Sequence, residues 1–235
     1  MTDFPYAIMG FDLDGTLLDT SDELTASVNH TLGLMGRETL TRDQVKPMVG
    51  LGAKHMLKVG IERTGSDGDD RDALLKEYLP RLLEHYGANL GSGSHPYPGL
   101  IDAMDALQER GVTLAVVTNK FENFAETLLT AVGLRDRFAC VIGGDTMGKG
   151  KSKPHRAPID EMVRRCGGTV NETPAAFIGD SIYDIMAAHN GGLPAIAVSF
   201  GFLHQPVEEL GADAIIDHYD ALIPTLEKIA KASTR

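Results

Sequence analysis

From residue 100 to residue 232 the chain alternates short apolar runs with segments of helical spacing. The apolar runs are 112–117, 139–142, 175–178, 195–198 and 214–216. The helical segments are 100–110, 121–132, 159–166, 182–189 and 219–232. Glycines follow three of these helices, at Gly111, Gly133 and Gly167, where a left-handed residue ends a helix without Cβ strain. Strands of three to six residues alternating with helices predict a doubly wound α/β fold around a parallel sheet.

A further apolar run, 6–11, has the same strand character but stands far from the others. Between them the periodicity is helical. Leu24, Val28, Leu32 and Met35 share one face, 48–61 forms a second helical stretch entered through Gly50 and Gly52, and Leu74, Leu75, Leu79, Leu82, Leu83 and Tyr86 mark a third. Nothing from 22 to 88 reads as a strand. The reading is a Rossmann-like α/β core over 1–20 and 95–235, interrupted by a helical cap domain over 21–94. Gly91-Ser92-Gly93-Ser94 reads as a flexible joint at the second junction.

Lys and Arg number 22 against 33 Asp and Glu, a formal charge of -11. Such a surface disfavours nucleic acid and anionic membranes as partners. It also gives no general help in capturing an anion, so an anion site has to be built locally. Cys140 and Cys166 are far apart in sequence and lack metal-ligand spacing, and they read as two reduced thiols in a reducing compartment. Residues 1–11 carry no basic start or long apolar stretch, and no run approaches a membrane span. The expectation is a soluble, cytoplasmic protein, monomer or homodimer.

In an open α/β sheet, ligands bind beyond the carboxyl ends of the strands. At those positions stand Asp12 and Asp14, then Thr118 and Asn119, then Asp180, Ser181 and Asp184, with Lys151 and Lys153 in a loop before residue 175. Four carboxylates gathered on one edge repel one another unless a cation joins them. Asp12 and Asp180 suit Mg²⁺, which prefers a few carboxylates plus waters and substrate phosphate. Lys153, favoured over Lys151 by the Lys-Pro pair, adds positive charge; Thr118 and Asn119 can hydrogen-bond phosphoryl oxygens, or cap a helix. Asp12 then reads as a nucleophile toward phosphorus, and Asp14 as the acid/base two residues on. Asp180 and Asp184 are spaced to share one helix face. Gly148-Lys149-Gly150-Lys151-Ser152 imitates the end of a nucleotide-binding loop, but Asp145 stands where the first glycine of that frame belongs. In the cap segment Lys54, His55 and Arg63 are candidates to meet a substrate carboxylate.

Phe11-Asp12-Leu13-Asp14-Gly15-Thr16-Leu17-Leu18-Asp19-Thr20 resembles the first motif of the haloacid dehalogenase superfamily, phosphatase branch. Val117-Thr118-Asn119 is similar to its second motif, Lys153-Pro154 to its third, and Gly179-Asp180-Ser181-Ile182-Tyr183-Asp184 to its fourth. The helical insertion resembles the first cap type, C1. The resemblance implies that Asp12 is nucleophile and metal ligand. It makes Asp14 the acid/base, lending its backbone carbonyl to the metal, Asp180 a ligand, and Asp184 a ligand or a carboxylate behind one. Asp19-Thr20, Val49-Gly50-Leu51-Gly52-Ala53, Pro96-Tyr97-Pro98-Gly99 and Lys153-Pro154-His155 are similar to the phosphoglycolate phosphatases within it. Leu51 and Ser199-Phe200-Gly201-Phe202 depart from that pattern. The resemblance implies a Mg²⁺-dependent phosphatase acting on a small phosphorylated metabolite, with 2-phosphoglycolate the leading substrate. A β-phosphoglucomutase, nucleotidase or pyrophosphatase on the same scaffold, or a non-catalytic phosphate-binding protein, are the alternatives.

Overall fold

The structure, a computed structural model, describes residues 4–233; the ends of the expected core segments, 1–3 and 234–235, lie outside it. In chain order the strands are β1 (Ile8–Phe11), β2 (Leu18–Asp19), β3 (His95–Pro96), β4 (Thr113–Val117), β5 (Cys140–Ile142), β6 (Ala175–Gly179), β7 (Ala195–Val198) and β8 (Ala214–Ile216). The α-helices are α1 (Ser21–Leu34), α2 (Arg42–Val45), α3 (Ala53–Thr64), α4 (Arg71–Ala88), α5 (Leu100–Glu109), α6 (Glu122–Ala131), α7 (Ala157–Arg165), α8 (Ile182–Asn190) and α9 (Leu222–Ser233).

Six strands form one parallel sheet in the order β5-β4-β1-β6-β7-β8. The isolated strand β1 lies between β4 and β6, with Ile8 opposite both Thr113 and Ala175. Strand alternation divides the core into two layers. Met9, Phe11, Leu114, Val116 and Ile178 pack with α5, α6 and α9. Ile8, Ala115, Val117, Phe177 and Ala197 pack with α7 and α8 on the other side. Both faces are covered, which is why these strands read as continuous apolar runs rather than alternating ones.

Helices α1, α3 and α4 close a third core around Leu24, Val28, Leu32, Met56, Leu57, Ile61, Leu82 and Tyr86. Each such side chain contributes roughly 1.5–3 kcal/mol by leaving water. The stretch expected to be helical from 48 begins instead at Ala53. Lys46–Met48 is a 3₁₀ turn, and Gly50 and Gly52 both take positive φ, so the backbone between them loops before the helix can start. The two connections between helical block and core pair with each other: β2 and β3 form an antiparallel ladder with Leu18 opposite Pro96 and Asp19 opposite His95. Asp19 additionally accepts from Ser21 N–H (3.1 Å) and from Arg42 Nη2 (2.6 Å), which binds α2 to the same junction. Gly91, expected in a flexible joint, donates its N–H to Glu23 Oε2 at 2.9 Å.

Cys140 and Cys166 are free thiols, yet their sulfurs lie 3.9 Å apart, because β5 and the C-terminus of α7 adjoin. Among the described residues no helix is long and apolar enough to cross a membrane.

The turn after β5 packs backbone to backbone on the start of α6. A Cβ added at Gly143 would sit 2.2 Å from Glu122 N and 2.5 Å from Glu122 Cα, and neither atom can rotate away. Gly143→Ala is therefore expected to lower stability by about 1–3 kcal/mol in urea unfolding; unchanged stability would mean that this turn is not held against α6.

Candidate active site

The carboxyl ends of β1, β4 and β6 open onto one site. Asp12 follows β1 directly, its N–H donating to Ile178 O (2.9 Å), and its side chain is almost fully buried. Lys153 Nζ spends all three protons inside the site: on Asp12 Oδ1 (2.7 Å), Asp184 Oδ1 (2.5 Å) and Val117 O (2.8 Å). Lys151, by contrast, is exposed.

Asp180 and Asp184 converge by a route different from the expected shared helix face. Asp180 lies at the end of β6, before the helix, where its Oδ2 accepts Phe202 N–H at 2.6 Å. Asp184 is the third residue of α8 and forms a capping box: its Oδ2 accepts from Ser181 N–H (3.0 Å) and Oγ (2.5 Å), which turns Oδ1 toward Lys153. Oxygens of Asp12, Asp180 and Asp184 all lie within 4.8 Å of one another.

Three buried acids therefore face one ammonium. Burial, reinforced by the Asp184 charge, pushes Asp12 up to about 7 despite Lys153. Burial, with the charges of Asp12 and Asp184 adding to it, holds Asp180 well above the usual carboxylate range. Burial alone would lower Lys153, but Asp12 and Asp184 outweigh it and hold the lysine above its ordinary value. Surplus negative charge on hard oxygen donors is the chemistry a divalent cation satisfies, so this cluster fits a metal ion, with Asp12 and Asp180 best disposed as ligands because Asp184 is engaged by Ser181 and Lys153.

Asp14 stands apart from the cluster. Its Oδ1 accepts from Thr20 Oγ1 (2.7 Å) and pairs with Lys120 Nζ (2.9 Å). Thr118 is buried, and its Oγ1 accepts from Lys120 N–H at 3.2 Å. Asn119 does something the sequence did not indicate. Its Nδ2 donates to Gly50 O (3.0 Å) and Lys153 O (3.2 Å), so the amide ties the glycine loop before α3 to the loop that carries Lys153. Neither residue caps α6. Phe121 occupies the N-cap position, and Asp145 takes the Glu122 N–H at 2.8 Å. Residues 148–152 form a surface loop that leads into Lys153.

A cavity of about 250 Å³ lies over Asp12, Asp14, Thr118 and Lys153. Its roof comes from the helical block: Val49 to Lys54, Met56, Leu82 and Tyr86. Lys54 stands exposed on its rim. Arg63 turns away and donates to Gln44 O, and His55 is not among the lining residues. Phe202, from the loop after β7, is buried in the core of the helical block. Lys120 and Tyr86 join the site with no expectation from sequence behind them, and Thr20 and Phe202 enter it from segments noted only for likeness to, or departure from, the family pattern. Lys120 was open to discovery, because it directly follows Thr118 and Asn119 beyond the end of β4.

The family model for haloacid dehalogenase-like hydrolases matches residues 9–198. A protein of Agrobacterium fabrum named phosphoglycolate phosphatase is 41% identical over 224 residues, covering 94% of this chain and 92% of its own. A Caulobacter vibrioides protein of the same name is 37% identical over 215 residues, covering 91% and 87%. Among solved structures, that of a Haemophilus somnus protein described as a predicted phosphoglycolate phosphatase superposes with a TM-score of 0.82 at 27% identity, covering 94% of this chain and 97% of its own. The parallel sheet with its acidic carboxyl edge makes this a protein of the α/β class. The chain belongs to the haloacid dehalogenase-like hydrolase family.

Removing one member of the acid cluster should relieve its repulsion. At pH 8 with chelator present, Asp180→Asn is expected to be more stable than the parent by about 1–3 kcal/mol, since an amide oxygen can still accept the Phe202 N–H. The same variant should lose most of the thermal stabilisation that added Mg²⁺ gives the parent. A less stable variant in chelator would contradict the crowding argument.

Proposed function

We propose that the chain hydrolyses a small phosphomonoester, 2-phosphoglycolate foremost, through an aspartyl-phosphate on Asp12 and with Mg²⁺. The chain is a phosphoric monoester hydrolase. The observation that carries the finer reading is the placing of Asp12: a buried carboxylate, held by Lys153 beside Asp180 and Asp184, on the floor of a small cavity.

Asp12 attacks phosphorus, forming the bond from its carboxylate oxygen as the ester P–O bond breaks. Asp14 gives its proton to the departing alkoxide, which leaves as an alcohol. It then takes a proton from water, whose oxygen attacks phosphorus and frees Asp12 with release of inorganic phosphate. Lys153 orients Asp12 and balances part of the charge. Thr118 binds a phosphoryl oxygen. Asn119 acts mainly by joining the two loops it bridges. Asp12, Asp180 and the Asp14 carbonyl, with Asp184 behind them, would hold Mg²⁺, which would supply charge to neutralise the phosphate.

Two features support a substrate of this size and charge. The cavity of about 250 Å³ suits a molecule of a few heavy atoms. On its rim, Lys54 and the first turn of α3, which has neither side-chain cap nor acidic residue, offer positive potential to a carboxylate. The relatives from Agrobacterium fabrum and Caulobacter vibrioides carry the name of an enzyme for that substrate. The helical block, 21–94, serves as the cap of the C1 type that selects it.

Purified protein with Mg²⁺ is expected to release inorganic phosphate from 2-phosphoglycolate faster than from hexose phosphates, nucleotides or pyrophosphate. Asp12→Asn should lower kcat on the order of 10⁴-fold or more, and chelation should abolish turnover until Mg²⁺ is restored. An isomeric sugar phosphate formed without free phosphate would replace the phosphatase with a mutase. Near-normal turnover by Asp12→Asn would exclude the mechanism.

A further inference from the structure

Lys120 has no assigned task, yet it is one of the most fully engaged cations in the protein. Its side chain is 6% exposed, and its ammonium lies 2.9 Å from Asp14 Oδ1. The same ammonium hydrogen-bonds Tyr86 Oη and sits 4.6 Å from the centre of that ring. Tyr86 belongs to α4, across the cavity from β4. Its hydroxyl donates in turn to Glu23 Oε1 (3.1 Å) on α1. Glu23 is buried, and its second oxygen accepts the Gly91 N–H at 2.9 Å.

These bonds run in one direction. Burial, with the charges of Asp14 and Glu23 adding to it, holds the Tyr86 hydroxyl far above its ordinary value, so it stays a phenol and keeps its proton to donate. Lys120 donates a hydrogen bond to Tyr86 Oη, and Tyr86 donates one to Glu23 Oε1. The ammonium is thereby fixed between two carboxylates, one in the core and one in the helical block. Glu23 lies just past the first junction and Gly91 at the second, so both connections between core and block fasten the same cation.

The consequence falls on Asp14. Thr20 Oγ1 and Lys120 Nζ both address Oδ1. With one oxygen occupied by two donors, the carboxyl cannot rotate freely, and Oδ2 is left to carry the proton that the leaving group needs. We propose that Lys120 is a positioning residue for Asp14, held in register by Tyr86 and Glu23 of the helical block. The proposal rests on the acid/base reading of Asp14 given above. It differs from the other use a cavity lysine invites, which is to read an anionic group on the substrate.

Leaving-group dependence separates these roles. An alkoxide needs its proton as it departs, whereas p-nitrophenolate leaves without one. Three esters are compared with Mg²⁺: 2-phosphoglycolate, ethyl phosphate and p-nitrophenyl phosphate. Lys120→Met is expected to lower kcat/KM for both alkyl esters by about 100-fold while leaving p-nitrophenyl phosphate within about 3-fold of the parent. Tyr86→Phe, which keeps the ring and removes only the hydroxyl, should reproduce the pattern at about a tenth of that size. It serves alone if melting curves show that Lys120→Met does not fold. A loss confined to 2-phosphoglycolate, seen as a raised KM with ethyl phosphate unaffected, would make Lys120 a carboxylate-binding residue and overturn the proposal. Equal losses on all three esters, or none, would overturn it too. Parent protein inert toward every ester would bring down the phosphatase reading and this one together, whereas failure confined to the variants touches Lys120 alone.

Discussion

Asp12 and Asp180 are buried beside Asp184 with one ammonium among them, and most of the remaining structure serves that crowding. A buried carboxylate without compensation either binds a proton or destabilises the fold. Here the compensation comes from three separate parts of the sheet edge. Lys153 arrives on a loop between β5 and α7, the Ser181–Asp184 capping box opens α8, and the Phe202 N–H comes from the turn beyond β7. None of these is near Asp12 in sequence. Parallel topology brings them together because every strand of the sheet ends on the same side.

The helical block is joined to this site more closely than two tethers require. The tethers pair as a short antiparallel ladder. Asn119 holds the carbonyl of Gly50, Phe202 inserts into the apolar centre of the block, and Lys120 links Asp14 to Tyr86. A cavity walled by both parts is complete only while those contacts stand. Closing it also excludes water, which strengthens the charge interactions on its floor.

How much of this was open to sequence reasoning depends on range. The parallel sheet was legible because its strands are buried on both faces and stand between helices that stop at glycines. Asp12, Asp14, Lys153, Asp180 and Asp184 were legible because each occupies a position beyond a strand end or in a loop serving one. Details of pairing were not. Asn119 reads as a phosphate donor until its amide is seen to hold two backbone carbonyls. Asp180 and Asp184 have helix-face spacing, although a capping box decides their geometry. The start of α3 was misplaced because apolar periodicity runs on through a glycine loop whose positive φ values forbid a helix. Cys140 and Cys166, distant in the chain, meet only because β5 and α7 adjoin. Tyr86 reads as an ordinary member of an amphipathic helix, and its pairing with Lys120 depends on how the block is docked.

The central claim is that Asp12 carries the phosphoryl group. Mixing excess enzyme with substrate and Mg²⁺, quenching within milliseconds in acid and reducing with borohydride converts an acyl phosphate to an alcohol at the residue that held it. Peptide mass spectrometry should then find homoserine at position 12, with aspartate unchanged at 14, 180 and 184. Reduction at another residue, or none at position 12 while phosphate is released at the normal rate, would contradict the account.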